Sequence, residues 1–142
     1  MKSVSYRLLA NSALLCSSLA LTFVNVDNLC VGFFDDMPFY MSEINSSGND
    51  DDVVFKLLAI LGFFFTTLLS CFKNKKLYAL VLFFYLILAM MISWWTESNH
   101  FSDLVYLSIR YCQNYYLFAF VIGQTLFLIL SGLFLFKSQD IT

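Results

Sequence analysis

From residue 57 to residue 95 the chain carries three full charges, Lys73, Lys75 and Lys76, and they stand together between two long apolar runs. A helix that crosses a bilayer needs about 20 mainly apolar residues. Runs of that length separated by so short a link leave few folds open. The stretches 53–72, 77–95 and 116–136 meet the requirement, with Lys56 near the start of the first. Composition agrees: 60% of the 142 residues are hydrophobic and 13% charged. An ordinary water-soluble domain is about 45–50% apolar and about 25% charged.

A fourth stretch, 8–26, is weaker because Asn11, Ser12, Ser17, Ser18, Thr22 and Asn25 interrupt it. Two readings stand. Lys2 and Arg7, an apolar core and Ser18-Leu19-Ala20 make a plausible cleaved signal peptide. Alternatively the segment is a retained span. Its apolar run continues past Ala20, and Ala10, Ala13, Ser17 and Ala20 form a small-residue seam for close helix packing. The retained span is the expectation. The fold class is therefore an all-α membrane protein, a single four-helix bundle over residues 1–142, with loops at 27–52 and 96–115.

Lysine and arginine are retained on the cytoplasmic side of membranes. Lys2 and Arg7 precede the first span, Lys73, Lys75 and Lys76 fill the second link, and Lys137 follows the last span. These places alternate as they should for a chain with both ends in the cytoplasm. Nine of the ten acids fall in the segments this assigns to the outside. Trp94, Trp95, Tyr115 and Tyr116 mark the outer interface, and Tyr6 and Tyr78 the inner one, as amphipathic rings favour headgroup depth.

Asp50-Asp51-Asp52 invites a cation-site reading, but a calcium loop needs alternating oxygen ligands and a turning glycine. The expected role is a solvated acidic helix start, favoured by the helix dipole. Lys56, four residues beyond Asp52, would pair with it. Phe33, Phe34, Phe39 and Tyr40 put apolar side chains in the first outer loop, where they would contact lipid or a partner protein. Asn45-Ser46-Ser47 matches a glycosylation acceptor. In the second outer loop, Phe101, Leu104, Val105, Cys112 and Tyr115 share a helical face, with Asp103, Tyr106, Arg110, Gln113 and Asn114 on the other. That pattern predicts a short helix lying on the membrane surface.

Candidate chemistry is sparse. Cys30 and Cys112 both fall on the outer side, where disulfides persist, and form a candidate pair. Cys16 and Cys71 lie in or beside spans and read as small hydrophobes. Glu97, His100 and Asp103 at three-residue spacing are too few ligands to predict a metal. The one histidine supports no catalytic triad, and no phosphate loop or basic nucleic-acid patch is present. Neither a cofactor nor an enzymatic activity is expected. No Asp or Glu lies within a span, which weighs against a proton-coupled transporter. Ala119, Gly123 and Gln124 are the candidate packing residues of the last span, the first two in a small-xxx-small pattern.

The plan is short, with four spans, both ends inside and no catalytic residues. It resembles in topology the small inner-membrane immunity proteins that protect bacteria from pore-forming toxins, although no sequence motif carries the likeness. The resemblance implies a bacterial inner-membrane protein that binds another membrane protein. An accessory subunit, a regulator or an immunity-type inhibitor all fit. Self-association, and a small transporter or oligomeric channel, are the alternatives.

Overall fold

The structure, a computed structural model, describes residues 2–32, 38–43, 51–96 and 100–137. It is all-helical in its main elements. The helices are α1 (Lys2–Thr22), α2 (Asp51–Cys71), α3 (Lys75–Ser93), α4 (Phe101–Arg110) and α5 (Tyr115–Phe136). A two-residue antiparallel bridge joins β1 (Cys30–Val31) to β2 (Phe39–Tyr40), pairing Cys30 with Tyr40 and Val31 with Phe39. Within α1, α2, α3 and α5 lie four segments long and apolar enough to cross a membrane, the first being Val4–Thr22. The first helix begins six residues before the expected 8–26 and stops four residues short of it. Asn25 and Asn28 explain the early stop: their side chains bond nearby backbone and favour a turn over another helical turn.

The outer surface of the bundle is apolar. Ile60, Phe64, Phe83, Met90 and Ile129 are each more than half exposed. Water would not tolerate so continuous an apolar surface, whereas lipid tails suit it. Helix α3 is the most peripheral span, and its buried residues are Tyr78 and Tyr85.

Burial in α5 follows steps of three and four. Leu117, Phe127, Ser131 and Phe134 are buried, and Phe120 and Gln124 partly so. That repeat keeps one stripe facing its neighbours along the whole helix. The stripe meets α1 closely. A Cβ placed on Gly123 would lie 2.7 Å from Ser17 Cβ and 3.2 Å from the Ala13 carbonyl oxygen. A Cβ on Gly62 of α2 would fall on Ser18 Oγ. The small residues of α1 thus face α5 on one side and α2 on the other. Two hydrophobic clusters fill the bundle. One, around Leu21, Phe55, Leu104 and Leu117, lies toward the loops, and the other, around Leu14, Phe65, Tyr85 and Phe127, lies toward the lysine-rich link.

A polar chain crosses the interior. The Tyr85 hydroxyl donates to Gln124 Oε1 (3.0 Å), Gln124 Nε2 donates to Ser17 Oγ (3.0 Å), and Ser17 Oγ donates to the Leu14 carbonyl (2.9 Å). Three helices, α3, α5 and α1, are joined in series. Nearer the lysine-rich end, the hydroxyls of Tyr78 and Ser131 bond at 3.0 Å, and Asn11 Nδ2 donates to Ser70 Oγ at 3.1 Å.

Candidate interaction surface at the loop end

Both long connections lie at the end of the bundle opposite Lys73–Lys76, and they are built into one cap. The chain leaving α1 is turned by Asn25, whose Oδ1 accepts from Asp27 N–H (2.9 Å), and by Asn28, whose Nδ2 donates to the Phe23 carbonyl (2.9 Å). Beyond it Leu29, Cys30 and Val31 are buried. The Leu29 carbonyl accepts from Met41 N–H (2.8 Å) and the Val26 carbonyl from Ser42 N–H (3.1 Å), closing this part of the loop over the bundle mouth.

Helix α4 is fastened to this loop at three places. Cys30 and Cys112 form a disulfide with their Cα atoms 6.0 Å apart. The buried Ser108 Oγ accepts from Cys30 N–H at 2.9 Å. Asn114 Nδ2 donates to the Asn28 carbonyl at 2.8 Å and to its Oδ1 at 3.1 Å. The same Asn114 caps α5, its Oδ1 accepting from Leu117 N–H at 3.1 Å. Ser108 and Asn114 were not among the expected site residues. An asparagine immediately before a long apolar helix is a legible cap signal, but its second bond, 86 residues away, has no local signature.

Several expectations are corrected here. Helix α4 does not lie with its apolar face on the membrane surface. Leu104, Val105 and Ser108 are buried: β1 packs on this helix, Phe55 of α2 stacks on Phe101, and Leu104 and Val105 belong to one core cluster with Val24, Val31 and Met41. Tyr115 belongs to α5 and is exposed, while Asn114, assigned to the polar face, is buried. The acidic helix start is not uniformly solvated, because Asp51 is 1% exposed. Asp52 does pair with Lys56 at 2.8 Å. Ala119 is exposed rather than packed inside. It lines an open groove of about 530 Å³ between α1 and α5, together with Ser12, Cys16 and Gly123. Gly123 and Gln124 contact α1 as described above.

Of the loop residues, Phe39 is partly buried against the cap core and Tyr40 is 42% exposed. Phe33 and Phe34 lie outside the described residues, as do Asp50, Glu97 and Asn45-Ser46-Ser47. Free Cys16 and Cys71 are exposed on the helix surfaces. Among the described residues no three His, Cys, Asp or Glu side chains gather as a metal site.

The face that the cap presents is aromatic and cationic. The Arg110 guanidinium lies 5.9 Å from the Tyr106 ring centre and 6.0 Å from that of Tyr111, within cation–π range, and all three residues are exposed. Tyr, Trp and Arg are the side chains that dominate protein-binding hot spots. No family model, curated protein or solved structure matches the chain.

Proposed function

We propose that this is a non-enzymatic membrane protein that acts by contact with another membrane protein, as an accessory subunit, a regulator or an immunity-type inhibitor of a membrane-active toxin. One observation carries the reading. Both loop-end connections are tied by a disulfide, Ser108 and Asn114 into a single cap that displays Tyr106, Arg110 and Tyr111. Rigid aromatic and guanidinium groups on a preorganised frame lose little conformational freedom on binding. The cap faces the outside and both termini lie in the cytoplasm. Two independent signals support this sidedness: the lysine distribution and a disulfide that needs an oxidising compartment. A bacterial inner membrane, facing such a compartment, is the proposed location.

A small transporter or oligomeric channel is the second reading, favoured by the polar side chains within the spans. Those side chains are engaged with one another, as Tyr85, Gln124 and Ser17 are, rather than lining a path. The test is site-specific photocrosslinking in native membranes. A photoreactive side chain at Tyr106 or Tyr111 should capture one discrete protein, while the same group at Phe83 on α3 should capture chiefly lipid. Lipid capture from all three positions, together with ion flux in liposomes containing the purified chain, would replace this reading with the channel.

A further inference from the structure

At the end of the bundle opposite the cap, the start of α1, the α2–α3 link and the last turn of α5 come together. Arg7 Nη1 donates to the Phe72 carbonyl at 2.9 Å. Lys137 lies 5.4 Å from the Tyr6 ring centre and donates to its hydroxyl at 3.3 Å. Lys75 is turned inward over the Phe134 ring, 5.3 Å from its centre. Its Nζ is buried and has no hydrogen-bond acceptor among the described residues. Lys73 and Lys76 flank it in a link held tight by Asn74, whose side chain caps α3. The described carboxylates, Asp27, Glu43, Asp51, Asp52 and Asp103, all belong to the cap or to the loop end of α2. The cations here therefore have no described counter-charge.

Retention of lysines on one side of a membrane accounts for their number. It does not account for one whose ammonium is withdrawn from the surface onto an aromatic ring without an acceptor. An ammonium has three donors to satisfy, and burial of a charge is costly unless it is paired. Lys75 stands between helix ends and is only half-buried, so its side chain can swing off the Phe134 ring to meet a phosphate oxygen. Basic pockets between membrane helices are known recognition sites for anionic headgroups.

We propose that this end of the bundle binds the phosphate of one anionic phospholipid, with Lys75 as its principal ligand and Arg7 and Lys73 beside it. The proposal is independent of the contact function assigned to the cap. A soluble phosphate shares the chemistry, but a lipid phosphate is already held at this depth by its chains.

The test is native mass spectrometry of the full-length chain in detergent, with phosphatidylglycerol or phosphatidylcholine of equal chain length. The anionic lipid should be retained preferentially, as one tightly held copy. Lys75→Gln should reduce that preference about fivefold, the effect of one cation beside an anionic group. Lys75→Arg should preserve it, and Lys56→Gln at the opposite end should leave it unchanged. Circular dichroism and elution volume establish that each variant is folded. Should Lys75→Gln fail to fold, the wild-type lipid preference and the Lys75→Arg result still decide the matter. Equal retention of the two lipids would overturn the proposal. So would a preference that survives Lys75→Gln, since the lipid would then be held without Lys75. Displacement of the bound lipid by millimolar inorganic phosphate would assign the site to a soluble anion instead.

Discussion

Glycines 62 and 132 look alike in sequence, each within an apolar helix, yet the fold gives them opposite constraints. A Cβ at Gly62 would fall on Ser18 Oγ, whereas one at Gly132 meets nothing within 4 Å. Gly62→Ala should therefore lower the detergent unfolding midpoint, by an overpacking cost of about 1–3 kcal/mol. Gly132→Ala should leave it unchanged or raise it, because alanine is the better helix former by about 1 kcal/mol. A melt of the two variants beside the wild type checks both signs. Backbone conformation makes a second prediction. Gln113 has φ 49°, a left-handed conformation that turns the chain between α4 and α5. Glycine reaches that region without steric cost, so Gln113→Gly should stabilise the cap by about 1 kcal/mol. Slower amide exchange in α4 would show it. A decreased melting temperature would mean that the Gln113 side chain makes a contact worth more than the strain.

Elements were more legible than their faces. Apolar runs of about 20 residues specify spanning helices because lipid requires every backbone group to be bonded within the helix. Three spans follow from that alone; the first needs its small-residue seam as well, and its end is displaced where Asn25 and Asn28 compete for backbone. The rotation of each helix is not so determined, since apolar side chains are acceptable toward lipid and toward protein alike. Ala119 illustrates this. It shares a small-residue spacing with Gly123, yet Gly123 meets Ser17 while Ala119 stays exposed in the groove. Polar residues discriminate better: Gln124, conspicuous in sequence, does bond across helices. Because it joins α3 and α1, losses at its two ends should be coupled. Tyr85→Phe should cost about 0.6 kcal/mol, the average for such bonds, and Gln124→Leu, which removes two of them, about 1.2 kcal/mol. The double variant should cost less than the sum, as both remove the same bond. Strict additivity in detergent melts would show that the Tyr85–Gln124 bond contributes nothing.

The whole molecule divides into a lipid-facing bundle and a cap that resembles a small soluble core. The cap was the least legible part of the sequence. Its ties join residues 78 to 86 positions apart, and only the cysteines advertised one of them. Closing a loop of 82 residues, the disulfide should contribute about 2–4 kcal/mol. Dithiothreitol, or Cys30→Ser, should lower the unfolding midpoint and expose α4 to protease, leaving membrane insertion intact. Resistance of α4 to protease after reduction would show that Ser108 and Asn114 suffice. Sidedness is checked with an impermeant thiol reagent in a background lacking Cys16 and Cys71. Asp103→Cys should react in intact cells and Lys76→Cys only after lysis; the reverse would place the cap inside.

The close meeting of α1 and α5 has a consequence for biogenesis. Of the four spans described, α1 leaves the ribosome first and α5 last, yet Gly123 rests on Ala13 and Ser17, Gln124 bonds Ser17, and Phe23 stacks on Tyr116 at 5.1 Å. Helix α1 must wait in the membrane, its seam uncovered, until α5 has been made. During that interval Ser17 has no α5 to screen it, and premature termination anywhere before residue 115 leaves the seam permanently open. Quality-control proteases that survey polar surface in lipid have there a signal of incomplete translation. A chain truncated after Arg110 should be cleared faster than the full-length protein in a pulse-chase, and α5 supplied as a separate polypeptide should slow its loss.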